Sequence, residues 1–152
     1  MTTNNDFIEQ QIVGAVRFLL AGRVNEILQD SEFAIPIIEF GDYCGASVVT
    51  PVIALSGCER TEKERLIHLD AYSLTIVFSL PQAPESELCC YAYAGAVSRA
   101  VCENPTLGGA ADRAVIIGKK FTTPKNPHCG DGWEVAITLR IAVEQRRKPS
   151  GR

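Results

Sequence analysis

Hydrophobic and polar positions alternate most regularly near the end of the chain. There Trp133, Val135, Ile137, Leu139, Ile141 and Val143 are interleaved with Glu134, Ala136, Thr138, Arg140 and Ala142. A period of two sends each set to its own face, so the pattern predicts a strand with one buried side. Leu66 to Leu80 reads the same way, with Tyr72, Leu74, Ile76, Phe78 and Leu80 facing one side and Ser73, Thr75, Val77 and Ser79 the other. Between them the period changes. Plotted at about 100° per residue, Cys89, Cys90, Tyr93, Ala94, Ala96, Val97, Ala100 and Val101 share one side, whereas Glu87, Ser98, Arg99 and Cys102 lie elsewhere. This predicts a helix that must lie on something apolar. Pro84 suits its start because the missing N–H costs nothing there. It stops at Glu103-Asn104, because Pro105 disfavours helical backbone in the residue before it, and Gly108-Gly109 permits a turn with positive φ. Leu107, the one large apolar residue of that turn, is expected to plug the helix end against the sheet.

The N-terminal third carries a second helix. Asp6 followed by Glu9 has the form of a capping box, so the helix is expected to start near Phe7. Ile8, Ile12, Val16, Leu19, Leu20 and Ile27 recur on one side to about Gln29, with Val13 and Val24 flanking, over about 34 Å at ~1.5 Å per residue. Gly14 and Gly22 each cost about 1 kcal/mol inside a helix, so packing has to hold it. Ile35 to Phe40 and Ser47 to Leu55 read as short strands. Pro36 and Pro51 make both edge-like or bulged. Gly41 to Gly45 reads as a turn, and Ser56 to Arg65 as a solvated, charged hairpin tip. Ala114 to Thr122 is a further strand, and Thr123 to Gly132 a long loop.

The order is helix, three strands, helix, two strands. It predicts an α+β fold: a mostly antiparallel sheet of about five strands with two helices packed on one face, a two-layer sandwich. Trp133, Ile137, Tyr72, Ile76, Val97 and Val16 are the expected core. The other sheet face, with Ser73, Thr75, Ser79, Thr138 and Arg140, is polar enough for water and flat enough to meet another subunit.

With 152 residues, 46% of them hydrophobic, the chain suits one domain, expected over residues 1–145, followed by a short basic, disordered tail over 146–152. Formal net charge is −3 and the charges are scattered, so the body carries no nucleic-acid footprint. No membrane span or signal peptide is evident, because Arg17, Arg23 and Asn25 interrupt the N-terminal apolar run. The chain is expected to stay in the cytoplasm where it is made. Its six cysteines are read as reduced, small apolar residues.

Candidate chemistry is sparse. Neither a CxxC nor an HxxxH spacing is present, so no metal or other cofactor is expected. Cys129 beside His128 lacks a placed orienting group, and adjacent residues of an extended loop point apart. Gly108-Gly109 follows a helix instead of preceding one and has no Lys-Ser/Thr, unlike a phosphate loop.

Taken together, the long first helix, the charged tip leading into YSLTIVFSL, the helix ending in ENPTLGGAADRAVI and the last strand GWEVAITLRIAV resemble the tail-terminator or tail-completion proteins of long-tailed bacteriophages and prophages. The resemblance spans about Phe7 to Val143. It implies a non-enzymatic virion protein, made in the bacterial cytoplasm, that closes into a ring, commonly a hexamer; the entropic cost of association allows isolated copies to remain monomeric until a tail end templates them. The implied partners are further copies of itself, the tail tube protein and a head-completion protein, with DNA only as passing cargo and no membrane. Under that reading Glu59, Arg60, Glu62, Lys63, Glu64 and Arg65, together with Lys125 and His128 of the long loop, are candidate contacts with neighbouring subunits or the tube. Arg146, Arg147 and Lys148 are candidate lumen or DNA-facing residues. The proline-interrupted strands Ile35 to Phe40 and Ser47 to Leu55 are the sheet edges expected to meet a neighbour. A related head-tail connector, or a small-ligand-binding or enzymatic α+β domain, is the alternative.

Overall fold

The computed structural model of the chain describes residues 7–41, 48–125 and 131–146. Helix α1 (Ile8–Leu19) continues through a π-helical turn (Leu20–Val24) into α2 (Asn25–Gln29). Then come β1 (Ile37–Ile38), β2 (Val48–Val49), β3 (Val52–Glu64) and β4 (Ile67–Leu80). Helix α3 (Ser86–Glu103), a 3-10 turn (Leu107–Gly109), β5 (Arg113–Thr122) and β6 (Trp133–Arg146) complete the order. The four long strands form one antiparallel sheet in the spatial order β3-β4-β6-β5, and β1 and β2 pair separately in parallel. Both helical rods lie on one face of the large sheet, so the fold is α+β with two layers.

Register explains the core. Tyr72, Leu74, Ile76 and Phe78 stand opposite Ile141, Leu139, Ile137 and Val135, and all eight are buried. Burying each of these large side chains stabilises the fold by about 1.5–3 kcal/mol relative to exposure. The eight residues predicted for the apolar side of α3 are all buried, and Tyr93 stacks on Phe78 with ring centroids 4.4 Å apart. Leu107 is buried as well, in a turn where Gly108 and Gly109 take φ of 69° and 99°. Of the expected core residues only Trp133 is left partly exposed. It stands at the start of β6, opposite Leu80. Gly132 is needed just before it: a Cβ there would lie 2.0 Å from the Leu80 carbonyl oxygen.

The first helix departs from its expected face. Its fully seated residues are Ile12, Val16, Leu20, Val24 and Leu28, whereas Leu19 and Ile27 are only partly buried. Four residues at about 100° each overshoot a full circle by about 40°, so a strict period of four drifts off the face of a regular α-helix. The wider π turn takes up that drift midway and keeps Val24 and Leu28 in the core, where this part of the rod packs on α3. Its start also differs. Asp6 lies outside the described residues, and the side chain that reaches back is Gln10, whose Oε1 accepts the Phe7 N–H at 3.1 Å.

The expected edge strands are corrected too. Ile37-Ile38 and Val48-Val49 satisfy each other in the small parallel sheet, and the chain breaks at Thr50-Pro51 before β3 begins. The side-chain amide of Asn25 acts as a further strand for β1: Nδ2 donates to the Ile38 carbonyl and Oδ1 accepts the Ile38 N–H, both at 2.9 Å. The same Nδ2 also reaches the Ala21 carbonyl within the π turn, at 3.0 Å. The edges of the large sheet are β3 and β5. Ser56 to Arg65 is not a loop: β3 pairs with β4 as far as Glu64↔Ile67, and the hairpin turns at Arg65-Leu66. A strand as long as β4 needs a partner of similar length, and the preceding residues supply it.

Candidate functional site

The candidate contact residues Glu59, Arg60, Glu62, Lys63 and Glu64 therefore project from an ordered ribbon, with Arg65 in its turn. Period-two geometry divides them between the two faces of the sheet: Arg60 and Glu62 on the helix side, Glu59 and Lys63 on the open side. The ribbon is fixed at its root by Asp70, a 1%-exposed carboxylate. Arg60 grips it through two bonds, Nε to Oδ1 at 2.7 Å and Nη2 to Oδ2 at 2.9 Å, and Gln145 Nε2 donates to Oδ2 as well. The Arg60 guanidinium holds the Asp70 carboxyl below its ordinary value, outweighing the opposing effect of burial. Beside this cluster the Tyr72 hydroxyl donates to Glu9 Oε2 at 2.7 Å, and burial together with Glu9 pushes the phenol well above its usual range. Lys63 bonds Glu144 at 3.1 Å, tying the ribbon to β6.

Arg60 and Lys63 are thus engaged within the subunit, whereas among the described residues Glu62 and Glu64 form no ion pair and Glu59 approaches Arg140 only at 4.0 Å. Lys125 is exposed at the end of a described segment, remote in sequence from the ribbon. His128, Arg147 and Lys148 lie outside the described residues. Arg146 is the last residue of β6, in register with Ile67 beside the hairpin turn, so it belongs to the sheet and not to a tail.

The open face of the sheet carries polar side chains. Ser73, Thr75 and Thr138 are half-buried among their strand neighbours, while Ser79 and Arg140 are exposed. On the helix side a groove of about 670 Å³ runs between α1 and the turn after α3. Phe18, Leu19, Leu107 and Ala110 supply its apolar wall, and Phe18 is 83% exposed. Its rim is an ion pair: Arg23 holds Glu103 at 2.7 Å and brings that carboxyl down to about 2.

No convergent chemistry joins these features. Among the described residues no group of three or more His, Cys, Asp or Glu is placed to hold a metal. Cys89 and Cys90 sit in the core, where burial raises both thiols, Cys90 to about 11, so they are protonated at neutral pH. Cys58 and Cys102 are exposed, and partial desolvation followed by the nearby Asp70 charge raises the Cys58 thiol too. Cys44 and Cys129 lie outside the described residues. No described helix is long and apolar enough to cross a membrane. No protein-family model matches the chain, and no curated protein is significantly similar to it.

The sequence did not mark the Asp70-Arg60-Gln145 cluster or the Asn25 clamp. For Asp70 a signal existed: a carboxylate interrupting the apolar run Leu66 to Leu80 needs a cation, and a hairpin places Arg60 across from it.

Proposed function

We propose that this chain is a structural subunit of a phage or prophage tail, closing as a ring over the end of the tail tube and presenting a surface to the head-completion complex. One observation carries the reading: an α+β domain whose helices occupy one sheet face, leaving the other face, both sheet edges and a charged ribbon uncovered among the described residues. A tube-capping subunit needs such surfaces, because heterologous contacts close a ring only when two different parts of each copy meet. The family-like turn over Asn104 to Gly109 supports it from the sequence side. Arg146, with the residues after it, supplies the positive charge for sequence-independent contact with passing DNA.

The test is localisation. Antibody-gold labelling of tails from the encoding phage is expected to mark one end, the head-proximal end of the tube. Label scattered along the tube, or absent from tails, contradicts the proposal. A small-ligand-binding domain is the second reading, favoured by the groove beside Phe18. Thermal-shift screening that finds a saturable small ligand, lost on Ala15→Trp substitution in the groove wall, would support it instead.

A further inference from the structure

Strand β5 is an outer strand of the large sheet, and among the described residues it pairs only with β6. Ile117 is the extra residue of a bulge, where the register shifts between Ile116 and Gly118. Beyond it the strand is regular, and Gly118 to Thr122 stand opposite Thr138 to Glu134 one for one. The free edge of that stretch leaves its outward main-chain groups to water. Period-two geometry divides its side chains: Lys119 and Phe121, opposite the buried Ile137 and Val135, lie on the helix face, and Lys120, opposite Ala136, on the open face.

On the helix face this edge continues into an apolar shelf. Helix α3 packs on β5 and β6, and its Tyr91 meets Phe121 edge to face, with ring centroids 5.3 Å apart. Phe121 is 40% exposed, Tyr91 46%, and Leu88, one turn earlier in α3, 50%. Gly95, one turn later, adds no side chain to this flank, and a Cβ there would meet nothing within 4 Å. Charge lies on both faces of the same stretch. Lys119 and Lys120 are exposed and form no ion pair among the described residues. Of the acids nearby in the fold, Glu87 accepts the Tyr91 hydroxyl at 2.8 Å, and Glu134 stands opposite Thr122 without an ion pair to either lysine.

We propose that the β5 edge binds an extended, acidic segment of a partner protein as an added strand, with an apolar side chain of that segment resting on the Tyr91-Phe121 shelf. Main-chain bonds along Gly118 to Thr122 hold the segment, and its side chains alternate between faces as those of β5 do. The residue beside Phe121 falls on the shelf and is apolar. The residue beside Lys120 falls on the open face and is acidic, and the one beside Lys119 is acidic again. The recognised pattern is therefore an apolar residue next to two acids. The formal net charge of the chain is −3, which repels an acidic segment at long range. At physiological salt that repulsion is screened over about 8 Å, so the two lysines decide the local sign. Lysines on an edge commonly serve to deter pairing altogether. A guarded edge gains nothing from half-exposed aromatic rings beside it, whereas a recognition edge draws affinity from them. The inference stands on the edge and its shelf, and it does not rest on the tail-ring reading.

The probe is a fluorescent peptide of about eight residues carrying an aromatic residue next to two acids, with a counterpart in which lysines replace the acids. Anisotropy titrations of the full chain at about 50 mM salt are expected to show saturable binding of the acidic peptide that weakens as salt is raised. The basic counterpart is expected to bind at least about tenfold more weakly. Amide NMR shifts on binding are expected to be largest from Gly118 to Thr122 and at Tyr91. K119E/K120E, first shown by circular dichroism and thermal melting to be folded, is expected to invert the preference and take the basic peptide. N-methylation of alternate peptide amides, which removes donors and keeps the charge, is expected to abolish binding in one of its two registers. No saturable binding up to about 1 mM, the outcome of an edge that only deters pairing, overturns the proposal. Equal binding of the two peptides, a preference unchanged in K119E/K120E, shifts confined to another surface, or full binding by both N-methylated peptides overturns it as well. The tail-ring reading is decided separately, on tails.

Discussion

Arg60 and Asp70 form a pair in which the two partners are unequally exposed: the guanidinium is 57% accessible and the carboxylate 1%. Truncating the acid leaves a cation that water can solvate, whereas truncating the base leaves a buried carboxylate with Gln145 as its remaining side-chain partner. Arg60→Ala is therefore expected to cost about 2 kcal/mol, and Asp70→Asn less, because an unpaired buried charge is the more expensive remnant. In the double variant the charge is gone, so it is expected to be no less stable than Arg60→Ala alone. Urea titrations of the three proteins measure this, and equal losses for both single variants contradict it. The sign with pH follows from the depressed carboxyl. Its folded value lies below the unfolded one, so its stabilisation is complete above the ordinary Asp range and is lost as pH falls through the folded value. The gap between the natural chain and Arg60→Ala is thus full at pH 7 and narrows below about pH 4.

At the scale of elements, Asn25 joins the first helical rod to β1. Asn25→Ala removes the bonds to Ile38 and Ala21 and is expected to destabilise by about 1–2 kcal/mol. Hydrogen exchange at the Ile38 amide, which now relies on that side chain, should accelerate well beyond the change at core amides such as Leu74. An unchanged Ile38 rate contradicts the clamp. Sequence reading was reliable for elements with two unlike faces. Strands β4 and β6 and helix α3 each have one side against the core and one in water, so burial itself wrote the period. It failed where that contrast disappears. From Ser56 onward β3 is exposed at every position, so its charges mark solvation and not a turn. What holds it is the ladder to β4, a non-local cause that composition does not carry. The π turn was legible in principle: apolar residues at 12, 16, 20, 24 and 28 keep a period of four that an ordinary α-helix cannot hold on one face. The parallel β1-β2 pair depends on a helix side chain, which no local pattern reveals.

For the whole molecule, the candidate residues separate by location. Glu59, Glu62 and Glu64 lie along one sheet edge, and Arg146 ends the strand beside the ribbon's turn, so under the tail-ring proposal contact with neighbours and contact with DNA would fall to adjacent but distinct surfaces. Heterologous contacts alone would give an assembly of open length, and under the tail-ring proposal a tube end would supply the symmetry that closes it. Association has a substantial entropic cost, which a templating tube end lowers by holding copies beside one another. Under the tail-ring proposal assembly, and not turnover of a substrate, would be the purpose of the fold. The measurement that tests this most directly is tail length and head attachment, by electron microscopy, in lysates of the encoding phage with this chain's gene interrupted. Over-long or headless tails, restored to uniform length and joined to heads by supplying the natural chain, are the predicted result. Tails of normal length that carry heads without the chain would contradict it.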